Sequence, residues 1–120
     1  MSEWIYVAMG GAGGSLLRYA VTLYALSIAD NWPLGTAVVN GLGSFLIGLS
    51  LPFLARLPVF VHPLLIVGFL GGFTTMSSYA GDVVKLIAEQ RYGTAAGVWA
   101  LGAILCVALC GLGYAVAARA

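Results

Sequence analysis

Charge is what this sequence has least of. Only 8% of its 120 residues are Asp, Glu, Lys or Arg, against about 25% in an ordinary soluble domain. Set beside 62% hydrophobic residues, that scarcity excludes a water-soluble globule and points into the bilayer. The few charges nearly cancel at +1, so neither nucleic acid nor an anionic surface is implied as a partner. Cysteine is scarce as well. Cys106 and Cys110 share one apolar run with no His or acid beside them, so they imply neither a disulfide framework nor a cysteine metal site and read best as packing residues. The single histidine, His62, stands beside Pro63 with no nucleophile to serve, so an enzyme is not expected. The opening Met1-Ser2-Glu3 carries no Lys or Arg and therefore lacks the basic region of a secretory signal; the first apolar stretch reads as a retained helix.

What is present is apolar length. Crossing the hydrocarbon core takes about 20 apolar residues. Four such runs use up the chain as one transmembrane domain, residues 1–120: Trp4 to Leu26, Leu34 to Leu54, Leu64 to Ile87, and Thr94 to Ala118. The expected fold is an all-α membrane protein of four helices. Turn-forming residues separate the runs: Asp30-Asn31-Trp32-Pro33, then Arg56 to Pro63, then Glu89-Gln90-Arg91-Tyr92-Gly93.

Seventeen glycines exceed what the loops need, and many pair at small-xxx-small spacing inside the runs: Gly10 with Gly14, Ser44 with Gly48, Gly68 with Gly72, Gly93 with Gly97. This spacing lets membrane helices approach closely, and packing is the expected role of most of these glycines. The third run differs, because Gly68-Phe69-Leu70-Gly71-Gly72-Phe73-Thr74-Thr75 places glycines and hydroxyls near its midpoint. A helix break is expected there. Irregular backbone at membrane depth persists only where protein or a polar cavity surrounds it, and its free carbonyls are suited to a cation.

With four spans, Arg56 and Arg119 fall on one side of the membrane and Lys85 and Arg91 on the other, so the bias that normally sets orientation is absent. Insertion both ways up, forming an antiparallel two-fold dimer, is one reading; a weak bias resolved by cellular factors is the other. Ionisable residues inside spans cost at least about 2.5 kcal/mol and mark functional sites by default. Arg18 and Asp82 are the cases here; snorkelling from near a helix end is the alternative, more reasonable for Asp82 close to Lys85 than for Arg18, and a water-filled vestibule is the favoured reading of both. Thr36, Asn40 and Ser44 recur every four residues on one helical stripe. The Asn40 amide must face another helix or a permeating species, since lipid leaves it unpaired. Met76 and Tyr79 form an i, i+3 pair, with Thr75, Ser78 and Asp82 on the neighbouring stripe. An aromatic ring has a positive edge that holds an anion without a full charge.

Taken together, three segments resemble the Fluc (CrcB) fluoride channels: Gly10-Gly11-Ala12-Gly13-Gly14-Ser15-Leu16-Leu17-Arg18-Tyr19; Gly35-Thr36-Ala37-Val38-Val39-Asn40-Gly41-Leu42-Gly43-Ser44-Phe45; and Gly68-Phe69-Leu70-Gly71-Gly72-Phe73-Thr74-Thr75-Met76-Ser77-Ser78-Tyr79. They occur in family order, with matching length and span count. The resemblance implies a fluoride-selective channel in the bacterial inner membrane, formed by an antiparallel homodimer in contact with lipid, passively exporting fluoride to limit its toxicity. It further implies a central structural sodium ion (Na+) held by the backbone carbonyls of Gly71 and Thr74. Asn40 would be the pore amide, with Thr36, Thr75, Met76, Ser78 and Tyr79 along the pathway and Arg18 and Asp82 at the vestibule. The chain departs from the family pattern at Met76 and Tyr79, where phenylalanines are usual, and at Val98, Gly102 and Cys106, where polar residues are common. Tyr79 and Ser78 are therefore expected to take more of the anion contact. A dual-topology multidrug exporter is the alternative, but it calls for an acid within the first helix, which offers Arg18 and a terminal Glu3. A non-transporting membrane scaffold is a third reading.

Overall fold

The computed structural model describes residues 2–29 and 33–120, so the Asp30-Asn31-Trp32 turn lies outside the described residues. The described residues are helical with no strand. Helix α1 spans Glu3–Ile28 and α2 spans Leu34–Ser50, followed by a tighter 3-10 stretch, Leu51–Arg56. Pro52 sits at the start of that stretch, where its missing N–H is tolerated. A π-helical segment, His62–Leu70, leads into one turn, α3, Gly71–Phe73. Helix α4 is Met76–Ala88 and α5 is Tyr92–Ala118. Among the described residues three helical runs are long and apolar enough to cross a membrane: Leu34–Arg56, His62–Ala88 and Tyr92–Ala118. Helix α1 has 26 residues, about 39 Å at 1.5 Å per residue, and its apolar character is diluted by Gly10, Gly11, Gly13, Gly14, Ser15, Arg18 and Thr22.

Two glycine crossings hold the bundle. Helix α1 lies on the π segment so closely that a Cβ at Gly10 would overlap the Leu64 carbonyl and come within 2.8 Å of the Phe69 nitrogen. At Gly14 an added Cβ would overlap the Phe69 carbonyl. The facing glycines complete the contact, with Gly68 against Val7 and Gly72 against Gly11, each 2.8 Å from the opposing carbonyl oxygen if it carried a Cβ. Thus Gly10 with Gly14 and Gly68 with Gly72 are the two halves of one interface, backbone against backbone. The second crossing joins α2 to α5, where Gly48 faces the Cys110 carbonyl and Gly113 faces the Phe45 carbonyl with no room for a side chain. Gly93 and Gly97 differ: nothing among the described residues lies within 4 Å of a Cβ built on either.

The helical run from His62 is interrupted after α3. Thr74 and Thr75 are extended, at φ −86°, ψ 157° and φ −149°, ψ 113°. Helix α4 then restarts with Thr75 as its N-cap, the Thr75 hydroxyl accepting from the Ser78 N–H at 3.2 Å, a standard way to satisfy an orphan donor of the first turn. The α4–α5 turn places Gln90 at φ 59°, with an exposed Arg91–Glu89 pair at 3.7 Å beside it. Such exposed pairs contribute little to stability.

Candidate ion pathway

The interruption at 74 and 75 is answered by three side chains from other helices or from the break itself. Asn40 of α2 reaches across and clasps Thr75 on both backbone groups: its Nδ2 donates to the Thr75 carbonyl at 3.0 Å, and the Thr75 N–H donates to its Oδ1 at 2.7 Å. The Thr75 N–H can only donate, so this pairing fixes which amide atom is oxygen. An asparagine amide carries two N–H donors, and the clasp uses one of them. Arg18 of α1 donates from Nε to the Gly72 carbonyl at 2.9 Å, replacing a helical partner that the break removes. Thr74 turns its hydroxyl back to the Leu70 carbonyl at 3.0 Å, while its methyl occupies the place of a side chain at Gly43. No donor within the described residues reaches the carbonyls of Gly71 or Thr74.

Beside this junction, α2, α4 and α5 diverge around a cavity of about 730 Å³. Its polar groups are Thr36, Asn40, Tyr79, Asp82, Thr94 and Cys106, set among apolar walls that include Ala37, Met76, Val98 and Leu105. The Thr36 hydroxyl donates to an Asp82 carboxylate oxygen at 2.9 Å, linking α2 to α4. Because Thr36 lies one turn before Asn40 on α2, this pair sits toward the helix ends that adjoin the α4–α5 turn, and Asn40 and Met76 lie deeper. The Tyr79 hydroxyl donates to the Trp99 carbonyl of α5. Gly93, Gly97 and Gly102 also line the cavity, which accounts for the open space at the first two.

Of the residues singled out from sequence, Thr36, Asn40, Met76, Tyr79 and Asp82 come together on this wall. Ser44, on the same stripe as Thr36 and Asn40, does not line it. Thr75 and Ser78 are engaged in the α4 cap, their hydroxyls 3.1 Å apart, and the Thr75 backbone holds Asn40. Arg18 stands at the Gly72 carbonyl and is absent from the cavity wall. Asp82 forms no ion pair with Lys85 in the structure; its partner is Thr36. Sequence reasoning did not single out Trp99, whose carbonyl anchors Tyr79 and whose role no side-chain pattern signals.

Helices long and apolar enough for a membrane, gathered around a mostly apolar cavity with a few polar groups, define a small helical membrane protein. The chain belongs to the CrcB family: the model described as "CrcB-like protein, Camphor Resistance (CrcB)" matches residues 5–114. It is similar to a fluoride-specific ion channel FluC of Aeromonas salmonicida, 41% identical over 117 residues covering 94% of each chain. It is also similar to proteins of that name from Rhizobium johnstonii, 43% identical with 82% of each chain covered, and Agrobacterium fabrum, 44% identical with 75% of each covered.

Proposed function

We propose that this chain is a fluoride-selective channel, an ion conduit and not an enzyme, which passively exports fluoride across the bacterial inner membrane. The observation that carries the reading is the Asn40 clasp. The amide is locked at both ends by Thr75, its second N–H has no acceptor among the described residues, and the residue lines a cavity together with Met76 and Tyr79. A preset donor of this kind replaces part of an anion's hydration without a full positive charge, so the ion binds firmly enough to enter and weakly enough to leave. The names of the relatives support fluoride as that anion.

The working unit in this reading has four spans per chain, α1 included, with the third interrupted at residues 74 and 75, and it is an antiparallel homodimer. Balanced Lys and Arg support insertion both ways up. Large apolar side chains exposed on α1 and α5, such as Leu16, Tyr24, Leu101 and Ile104, suit contact with lipid or a second copy. The carbonyls of Gly71 and Thr74, which accept no hydrogen bond from the described residues, fit a hard cation that takes oxygen ligands. Two such carbonyls from each copy would hold a structural sodium ion, whose charge would tie the copies together.

Efflux from liposomes, read with a fluoride electrode, tests the function. The purified protein should pass fluoride and exclude chloride, and Asn40→Ala should nearly abolish the flux. A scaffold or a multidrug exporter would pass no fluoride with or without the substitution.

A further inference from the structure

Tyr79 belongs to α4, yet it is held by α5 from two directions. Its hydroxyl donates to the Trp99 carbonyl. Its ring lies over Gly102, three residues further along the same helix, where an added Cβ would come within 2.7 Å of Cε2 and 3.5 Å of both Cζ and the hydroxyl oxygen. Residues at i and i+3 share one helix face, so Trp99 supplies an acceptor and Gly102 an adjoining seat for one aromatic side chain. Tyr79 and Gly102 both line the cavity that also holds Asn40 and Met76.

This arrangement bears on what Tyr79 would offer to an ion in the cavity. A phenol has one O–H proton, and here that proton is taken by the Trp99 carbonyl. What remains on the cavity side is the ring. A free phenol donor beside the Asn40 amide would add a second strong contact to an anion and slow its departure. A side chain larger than hydrogen at 102 would push the ring from its seat.

We propose that Gly102 and the Trp99 carbonyl are positioning elements of the conduction pathway, which fix the Tyr79 ring in the cavity wall and withhold its hydroxyl from the anion. The inference rests on the fluoride reading for the identity of the ion, and on the α4–α5 contacts for its geometry.

The test is a double-mutant cycle over Gly102→Ala and Tyr79→Phe, read as fluoride efflux from liposomes and as fluoride-to-chloride permeability from reversal potentials. Gly102→Ala should lower fluoride flux about tenfold when Tyr79 is present and no more than about twofold on Tyr79→Phe, where an untethered ring can turn aside; coupling of this size is usual for residues in contact. Equal losses in the two backgrounds would overturn the proposal. Should Gly102→Ala not yield folded protein, Tyr79→Phe alone is decisive: a permeability ratio altered by about threefold or more is expected, and an unaltered ratio would overturn it. A wild-type protein that passes no fluoride at all overturns the channel reading itself, which separates that failure from this one.

Discussion

The two sides of α2 and its neighbours use glycine to opposite ends. Where α1 crosses the π segment, Gly10, Gly14, Gly68 and Gly72 bring backbone against backbone and leave no space. Where α4 and α5 part from α2, Gly93 and Gly97 meet nothing and border the cavity. One residue type thus makes a dry seam in one region and an opening in the other. The difference lies in what faces the missing Cβ. The seam brings helices into backbone contact and the opening borders the cavity; the interruption at Thr74 and Thr75 lies between them, with Arg18 bonded to the Gly72 carbonyl just before it and Asn40 bonded to Thr75 within it.

Substitution separates the two regions. The largest effect is expected at the seam: Gly14→Leu drives a side chain into the Phe69 carbonyl and should cost at least about 3 kcal/mol, seen as loss of the folded species in size-exclusion chromatography. Next is Asn40→Asp. It retains an acceptor for the Thr75 N–H but sets a carboxylate oxygen against the Thr75 carbonyl and a negative charge on the cavity, so fluoride efflux should fall by about 100-fold, a loss of about 2.7 kcal/mol. Met76→Phe should act in the other direction by adding a ring edge to the wall, with flux rising severalfold; no response would show that Met76 is not limiting. The smallest effect belongs to the open side, where Gly97→Ala meets no atom within 4 Å and should change thermal stability by no more than about 0.5 kcal/mol. If Gly97→Ala proved as damaging as Gly14→Leu, the distinction between seam and opening would fail.

Much of the helical outline was legible because apolar runs and their punctuation are local signals. The run read as Trp4 to Leu26 corresponds to Glu3–Ile28, and Thr94 to Ala118 to Tyr92–Ala118. Leu34 to Leu54 changes character after Ser50, where Pro52 brings in the 3-10 stretch. The pairing of glycines within each run was readable from spacing, but spacing does not say what stands opposite. That is why Gly93 with Gly97 matches the packing pattern yet packs against nothing among the described residues. At Asn40 the sequence left interhelical bonding and pathway lining as alternatives; the structure shows the first, with the amide bonded to Thr75, and sets the residue on the cavity wall. The partners themselves were out of reach, since Asn40 and Thr75 are 35 residues apart and Arg18 and Gly72 are 54 apart. The backbone acceptors at Gly72 and Trp99 leave no mark in the side-chain pattern.

Thiol labelling tests the division most directly. In protein with Cys106 and Cys110 replaced by Ala and shown to conduct, Gly97→Cys places a thiol on the open wall and Gly11→Cys places one on α1 beside the seam. Fluoride current recorded before and after a charged methanethiosulfonate reagent should be blocked in the first protein and unaffected in the second. Full labelling at residue 97 with undiminished current would contradict the account, because the ion would then be passing somewhere other than between α2, α4 and α5.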